Sequence, residues 1–429
     1  MSVATLTEII SPNFTENVVI VMLERFSGFK NVQIKNVDIG NSSKKGDSYL
    51  STLCRFSLQA DGITNGGLQQ SIFLPVIVKA IPKNVARRKT FRSSDFFATE
   101  IYFYEKVWPL MESFKTNKKV LDLDLEVPRL LSSFSDGEHD FIALEDLSYK
   151  GYKTAEREGS VNFDQTKLGL ILMAKFHALS IALRDQKPEF DNVASDIQES
   201  YFSEKFRPWY TGFLEEKLKK IIRNAVTTEL PEYYLEKINK LFETDLYGVA
   251  CSYTSVRNKC TAVTQGDAWI PNFLFKYDDK GNAINAVMID FQLARYTTLS
   301  NDVSFFLYVC MSEDMLETHW DELIEIYYKE LSKRIEELGS EKNLITFDEL
   351  KEDLSKHAIF GFIMGMEAKT MSFLEENEVA DLDEIQGEEA VPLHSIWDIP
   401  PFKDITRNKR LAKMVKHFID KGYINDYIN

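Results

Sequence analysis

The residues best suited to chemistry lie in two short stretches: Gln265-Gly266-Asp267-Ala268-Trp269-Ile270-Pro271-Asn272 and Met288-Ile289-Asp290-Phe291. A carboxylate followed five positions later by an amide, with a second carboxylate beyond a hairpin, suits phosphoryl transfer. In such a set the first Asp accepts the proton of an attacking hydroxyl, and the Asn and second Asp hold Mg²⁺. Mg²⁺ is hard and takes oxygen ligands, usually one or two carboxylates with phosphates and water. Asp267, Asn272 and Asp290 offer those oxygens. The Asp-to-Asn spacing by itself carries little, because a solvated loop explains most of its occurrences. The weight rests on the ordered set.

That set extends upstream. Val76-Ile77-Val78-Lys79-Ala80 puts one lysine in an apolar strand, where its charge needs a partner or a route to water. Glu100, in the following helical segment, is the candidate partner, and such a pair positions nucleotide phosphates. Lys45-Gly46-Asp47-Ser48-Tyr49 lies between two strand candidates, and a glycine there lets backbone N–H groups approach phosphate. Without a second glycine at nucleotide-loop spacing, a plain turn explains it equally well. Leu144-Glu145-Asp146-Leu147 falls where sheet gives way to helix, the place for a hinge.

The periodicities supply elements to carry these residues. Residues 14–27 read as an amphipathic helix. Strands are expected at 49–58 and 72–81, joined through Asp61-Gly62 and Gly66-Gly67, then a helix at 94–114 and strands at 127–134 and 141–144. From 147 the chain turns helical: 164–184 has a wide apolar face, and 200–250 and 315–340 are amphipathic. Short strands at 260–264, 273–277 and 286–289, the last two joined by the turn 278–282, interrupt the helices. A strand-rich insert in a helical region commonly presents loops for use.

On these motifs the sequence resembles the ecdysteroid-kinase-like (choline-kinase-like) family, within the aminoglycoside-phosphotransferase branch of the protein-kinase-like fold. The matching segments are Lys79, Glu100, Glu145-Asp146-Leu147, Phe176-His177-Ala178-Leu179-Ser180, Gly266-Asp267 with Trp269 and Asn272, and Asp290-Phe291-Gln292. Asp302, twelve residues after Asp290, fits a structural acid of that branch. The resemblance implies an α+β, two-lobed fold: a small β-rich N-lobe over 1–146 that binds nucleotide, and a larger, mainly helical C-lobe over 147–429 with the catalytic loop and acceptor site. It implies ATP- and Mg²⁺-dependent phosphorylation of a hydroxyl on a small-molecule alcohol, ecdysteroids being the best-known substrates. Asp267 would be the catalytic base, and Asn272 and Asp290 the metal ligands. Lys79, oriented by Glu100, would hold the phosphates, Gly46 and Ser48 would cover them, and backbone near Glu145 and Leu147 would meet the adenine. Two departures stand out. Gln265 replaces the family's usual His; it can donate and accept hydrogen bonds but cannot titrate. Pro271 stands where a polar residue is common.

Composition narrows the alternatives. The 429 residues carry 51 Lys plus Arg against 66 Asp plus Glu, a formal charge of −15, which disfavours a polymeric nucleic-acid partner. The four cysteines show no metal spacing and are expected to be reduced and buried. No basic segment followed by an apolar one opens the chain, and no uninterrupted apolar run of membrane-spanning length is evident, so a cytosolic setting is expected. The basic run from Lys83 to Arg92 reads as a solvated face, and 375–390, with eight acidic and no basic residues, as a flexible acidic loop. His177, in an apolar helix, reads as a satisfied core histidine bonded to the catalytic loop. Two competing functions remain: a silent relative that binds nucleotide or a lipid-like ligand, and a metal-dependent phosphohydrolase, which would leave Lys79 and Glu100 unexplained.

Overall fold

The computed structural model describes residues 2–40, 50–120, 123–155, 161–375 and 378–428. The chain forms two compact units. One comprises residues 1–105, 127–152 and 376–391; the other comprises 106–126, 153–375 and 392–429. The observed division differs from a cut at 146 in three ways. The helix around Trp108–Lys118 belongs with the helical unit, residues 147–152 stay with the sheet, and the acidic segment returns to the sheet-bearing unit.

The smaller unit is built on an antiparallel sheet of five strands: β1 (Lys30–Ile39), β2 (Thr52–Ile63), β3 (Gln69–Ala80), β4 (Leu130–Phe134) and β5 (Phe141–Glu145), in the order β1-β2-β3-β5-β4. Alternation sorts β3: Leu74, Val76, Val78 and Ala80 enter the core with Leu23, Phe56 and Phe141, which puts Lys79 on the other face. Lys79 stands opposite Leu53 of β2 and Ile142 of β5, so its strand is central and its position fixed. The β2–β3 strands run past the expected turn at Gly62. A Cβ there would meet Phe29 Cβ at 2.9 Å, so the glycine makes room for packing and the turn falls later, around Gly67.

The expected helix at 94–114 is two helices, Ser93–Tyr102 and Trp108–Lys118, separated by a π turn at Phe103–Val107. Pro109 explains the interruption, because it offers no N–H to the turn before it.

In the larger unit, the helix Phe163–Gln186 starts with a capping box between Asn162 and Gln165. Its length and apolarity meet the composition of a membrane span, but 78% of the most apolar window is buried inside the protein, which accounts for the lack of a polar face. Helices Ser300–Cys310 and Phe347–Ser372 cross closely at Gly361, where a Cβ would lie 2.4 Å from Phe305 N. That neighbour is backbone and cannot rotate aside. Gly361→Ala should therefore cost at least about 1–3 kcal/mol, the usual penalty of overpacking; a urea-unfolding midpoint unchanged by the substitution would contradict this crossing.

Candidate functional site

The sheet-bearing unit supplies a cation. Lys79 Nζ donates to Glu100 Oε2 at 2.7 Å, with the two side chains 13% and 3% exposed. The strand lysine and helix glutamate thus meet as expected. Glu145 closes β5 and pairs with Lys150 at 3.2 Å. Leu147 opens a 3₁₀ turn capped by Asp146, whose Oδ1 accepts the Ser148 N–H at 2.9 Å. The hinge candidate is therefore ordered by a local cap. Gly46 and Ser48 lie outside the described residues.

The basic run of this unit differs from a solvated face. Arg87 is buried and donates to Asp383 Oδ1 at 2.8 Å and to Ser51 O at 3.2 Å. Asn84 Nδ2 donates to the carbonyls of Asp383 and Ile385, and the Val391 N–H donates to Thr90 Oγ1 at 3.0 Å. Residues 381–391 are thus fastened along the helix Val85–Thr90, not left as a free acidic loop. Some 300 residues separate the partners, so no local pattern could reveal it.

The larger unit assembles the catalytic-loop candidates. Strand Thr261–Thr264 delivers Gln265 and Gly266 to the carboxylate of Asp302, which accepts the Gln265 N–H at 2.7 Å and the Gly266 N–H at 2.9 Å. Gly266 has φ +83°, and a Cβ there would sit 1.7 Å from Leu293 O, so only glycine fits. Arg295 Nη1 donates to Gly266 O at 3.1 Å and is itself paired with Glu199 at 2.6 Å. His177 is fully buried. Its Nε2 donates to Asp302 at 3.3 Å, since a carboxylate can only accept, and its Nδ1 lies 2.7 Å from Tyr327 Oη. This agrees with a core histidine serving the loop at second hand.

Gln265 ties the two aspartates together. Its Oε1 accepts the Asp267 N–H at 2.8 Å, and its Nε2 donates to Ile289 O at 2.9 Å and Asp290 O at 2.8 Å. A neutral side chain with both donor and acceptor does all three, which makes the departure from His intelligible. Pro271 sits at the start of the 3₁₀ turn Ile270–Asn272, where its missing N–H costs nothing. Asn272 Nδ2 donates at 2.9 Å to both Asp267 O and Asp267 Oδ2. Both amide hydrogens face Asp267, so Asn272 Oδ1 is the atom turned to other uses. Asp290 holds φ +64°, a conformation costly for a residue with a Cβ and typical of functional positions.

Burial foremost, then the charge of Asp290, pushes the Asp267 carboxyl up to about 7; the Asn272 hydrogen bond and the more distant Arg295 oppose the shift. Two carboxylates and an amide oxygen are a hard-oxygen set, and the nearby arginine is committed to Glu199. They fit a divalent cation that brings further ligands. Among the described residues no group of three or more His, Cys, Asp or Glu forms, so no all-protein cage competes with this reading. Glu199 was invisible to motif reasoning, because it acts from a segment 96 residues before its partner Arg295.

Lysine on a central strand, glutamate on the next helix, and an Asp–Asn loop with a second Asp beyond a hairpin define the class of small-molecule kinases. The chain belongs to the ecdysteroid kinase-like family, whose model matches residues 45–340. No curated protein matches. Among solved structures, a GDP complex of a mutant aminoglycoside 2'-phosphotransferase-IIIa is similar at 14% identity and a TM-score of 0.37, covering 86% of this chain and 97% of the other. The ADP and streptomycin complex of an aminoglycoside phosphotransferase from Streptomyces rimosus is similar at 11% identity and a TM-score of 0.31, covering 81% and 98%.

Gln265→Leu keeps the side-chain bulk and strips the polar bridge. It should destabilise the protein by about 1–3 kcal/mol, the cost of buried groups left unsatisfied. The check is the urea-unfolding midpoint together with faster amide exchange at Asp267; parental values for both would refute the bridge.

Proposed function

We propose that the protein is an ATP- and Mg²⁺-dependent kinase that phosphorylates a hydroxyl of a small molecule, an ecdysteroid or a related steroid or xenobiotic alcohol. The observation that carries this reading is the bridged pair: Asp267 fixed by Asn272 and joined through Gln265 to the backbone of Asp290. Such a lattice holds a base and a metal ligand in fixed relation, and positioning is most of what phosphoryl transfer asks of a protein.

In this mechanism Asp267 orients the acceptor hydroxyl and takes its proton. The acceptor oxygen forms a bond to the γ-phosphorus as the bond from that phosphorus to the β,γ-bridging oxygen breaks, leaving ADP. Asn272 Oδ1 and the Asp290 carboxylate would hold Mg²⁺, which when bound neutralises the phosphate oxygens. Lys79, held by Glu100, draws the nucleotide phosphates; backbone atoms near Glu145 and Leu147 meet the adenine; Gly46 and Ser48 cover the phosphates. The placement of Asp267 where its proton affinity is raised makes it a stronger base than a solvated aspartate. A cytosolic setting belongs to the same proposal; Cys54, Cys251, Cys260 and Cys310 are free thiols.

The test is phosphoryl transfer from Mg-ATP to a panel of steroid and amino alcohols, read as a mass gain of one phosphoryl group. Asp267→Asn should lower kcat by about 10²–10⁴-fold, the usual worth of a general base, and Lys79→Met should abolish transfer. Parent and Asp267→Asn equally inert while both bind nucleotide would establish a silent relative. Phosphate release from esters without ATP, surviving Lys79→Met, would establish a hydrolase.

A further inference from the structure

Asp353 lies in the second turn of the helix Phe347–Ser372, beyond the stretch matched by the family model. Its side chain is buried, yet it draws donors from three other segments. Thr298 Oγ1 and Ser300 Oγ both donate to its Oδ2, and Asn258 Nδ2 donates to its Oδ1. His357, one turn further along the same helix, adds a fourth donor. Its Nδ1 lies 2.7 Å from Asp353 O and 3.2 Å from Asp353 Oδ1; both are acceptors, so that nitrogen carries a proton. Burial raises the carboxyl, but the His357 contact, then Ser300 and Thr298, outweigh it and hold Asp353 below the usual carboxylate range.

Each of the three segments leads to the catalytic loop. Asn258 precedes the strand Thr261–Thr264, which runs into Gln265, Gly266 and Asp267. Thr298 closes the strand Arg295–Thr298, whose first residue holds Gly266 O. Ser300 opens the helix that carries Asp302, the acceptor of the Gln265 and Gly266 N–H groups. The two strands pair antiparallel, Thr298 opposite Thr261 and Arg295 opposite Thr264. Asp353 therefore gathers one end of this ribbon, while Arg295 and Asp302 fasten the other, about 10 Å away at ~3.3 Å per residue. The gathered end is also tied to the helix Leu246–Tyr253, because Thr297 Oγ1 and Asn301 Nδ2 donate to Tyr253 O at 2.8 and 2.9 Å. A two-stranded ribbon is marginally stable by itself, so its register depends on what grips it.

We propose that Asp353 is a positioning residue for phosphoryl transfer: by fixing Asn258, Thr298 and Ser300 it sets the register of the ribbon, and with it the place of Asp267. This rests on the phosphotransfer reading. Asp353 acts through the backbone that delivers Asp267, not on substrate. An ionised carboxylate suits the task because it only accepts, so donors arriving from several directions are all satisfied. An amide would keep much of this. Its oxygen can serve Asn258 and His357, while the two hydroxyls turn to accept from its N–H₂. A methyl group would keep none of it.

The experiment compares Asp353→Ala and Asp353→Asn with the parent, using Mg-ATP and the acceptor that the alcohol panel identifies, at a temperature where circular dichroism shows all three folded. Asp353→Ala should lower kcat at least ~10-fold with KM for ATP unchanged, since misplacing a reacting group by an ångström costs up to about 10²-fold. Asp353→Asn should recover most of that loss. Amide exchange is read alongside: in Asp353→Ala, Gln265, Gly266 and Asp267 should exchange faster while the strand Phe273–Tyr277 keeps its parental rate. Should Asp353→Ala fail to fold, Asn258→Ala, which removes one exposed donor, carries the same direction of change. Parental kcat in the folded variant, a loss carried by KM instead, a defect that Asp353→Asn leaves in full, or exchange accelerated equally throughout the helical unit would each overturn the proposal. Those are the marks of a residue that only stabilises. Failure of the phosphotransfer reading looks different: the parent phosphorylates no acceptor, while exchange at Gln265, Gly266 and Asp267 still depends on Asp353.

Discussion

The carboxylate of Asp302 is the point on which the helical unit's chemistry hangs. It accepts the consecutive backbone N–H groups of Gln265 and Gly266 and the ring N–H of His177. Asp302 itself stands in the first turn of the helix Ser300–Cys310, where negative charge is favoured by the helix dipole. His177 comes from Phe163–Gln186 and reaches Tyr327 on Trp320–Glu337, so three helices fix the anchor to which the loop is tied. The loop then has little freedom left: Arg295 takes the Gly266 carbonyl, and the left-handed turn at Gly266 fixes the backbone that leads into Asp267.

The second constraint is electrostatic. Asp267 and Asp290 are held near enough to raise the proton affinity of the first, an arrangement unfavourable in isolation. Two neutral side chains, Gln265 and Asn272, bridge the pair. Gln265 thus fits the site's economy of charge: it supplies geometry and no charge.

Much of this was legible in the sequence. A lone lysine in an apolar strand signalled the need for a partner such as Glu100, and the spacing of Asp267, Asn272 and Asp290 survived into one hairpin-supported cluster, because these relations are local or one element apart. The helix at 94–114 was misread as continuous because the apolar rhythm persists through Pro109, while the backbone hydrogen bonds do not. The acidic segment was misread because its partners, Asn84 and Arg87, are distant in sequence.

The return of residues 376–391 to the sheet-bearing unit has a consequence for how the molecule could be taken apart. That unit is discontinuous along the chain, and its last piece is encoded after the whole catalytic loop. A fragment ending near 152 would lack the acceptors that meet the Arg87 guanidinium and the Asn84 amide, leaving a buried cation without Asp383. Synthesised from the N-terminus, the sheet therefore waits for nearly the full chain before its closing segment exists, and gene fission between the two units would separate a clasp from the surface it closes.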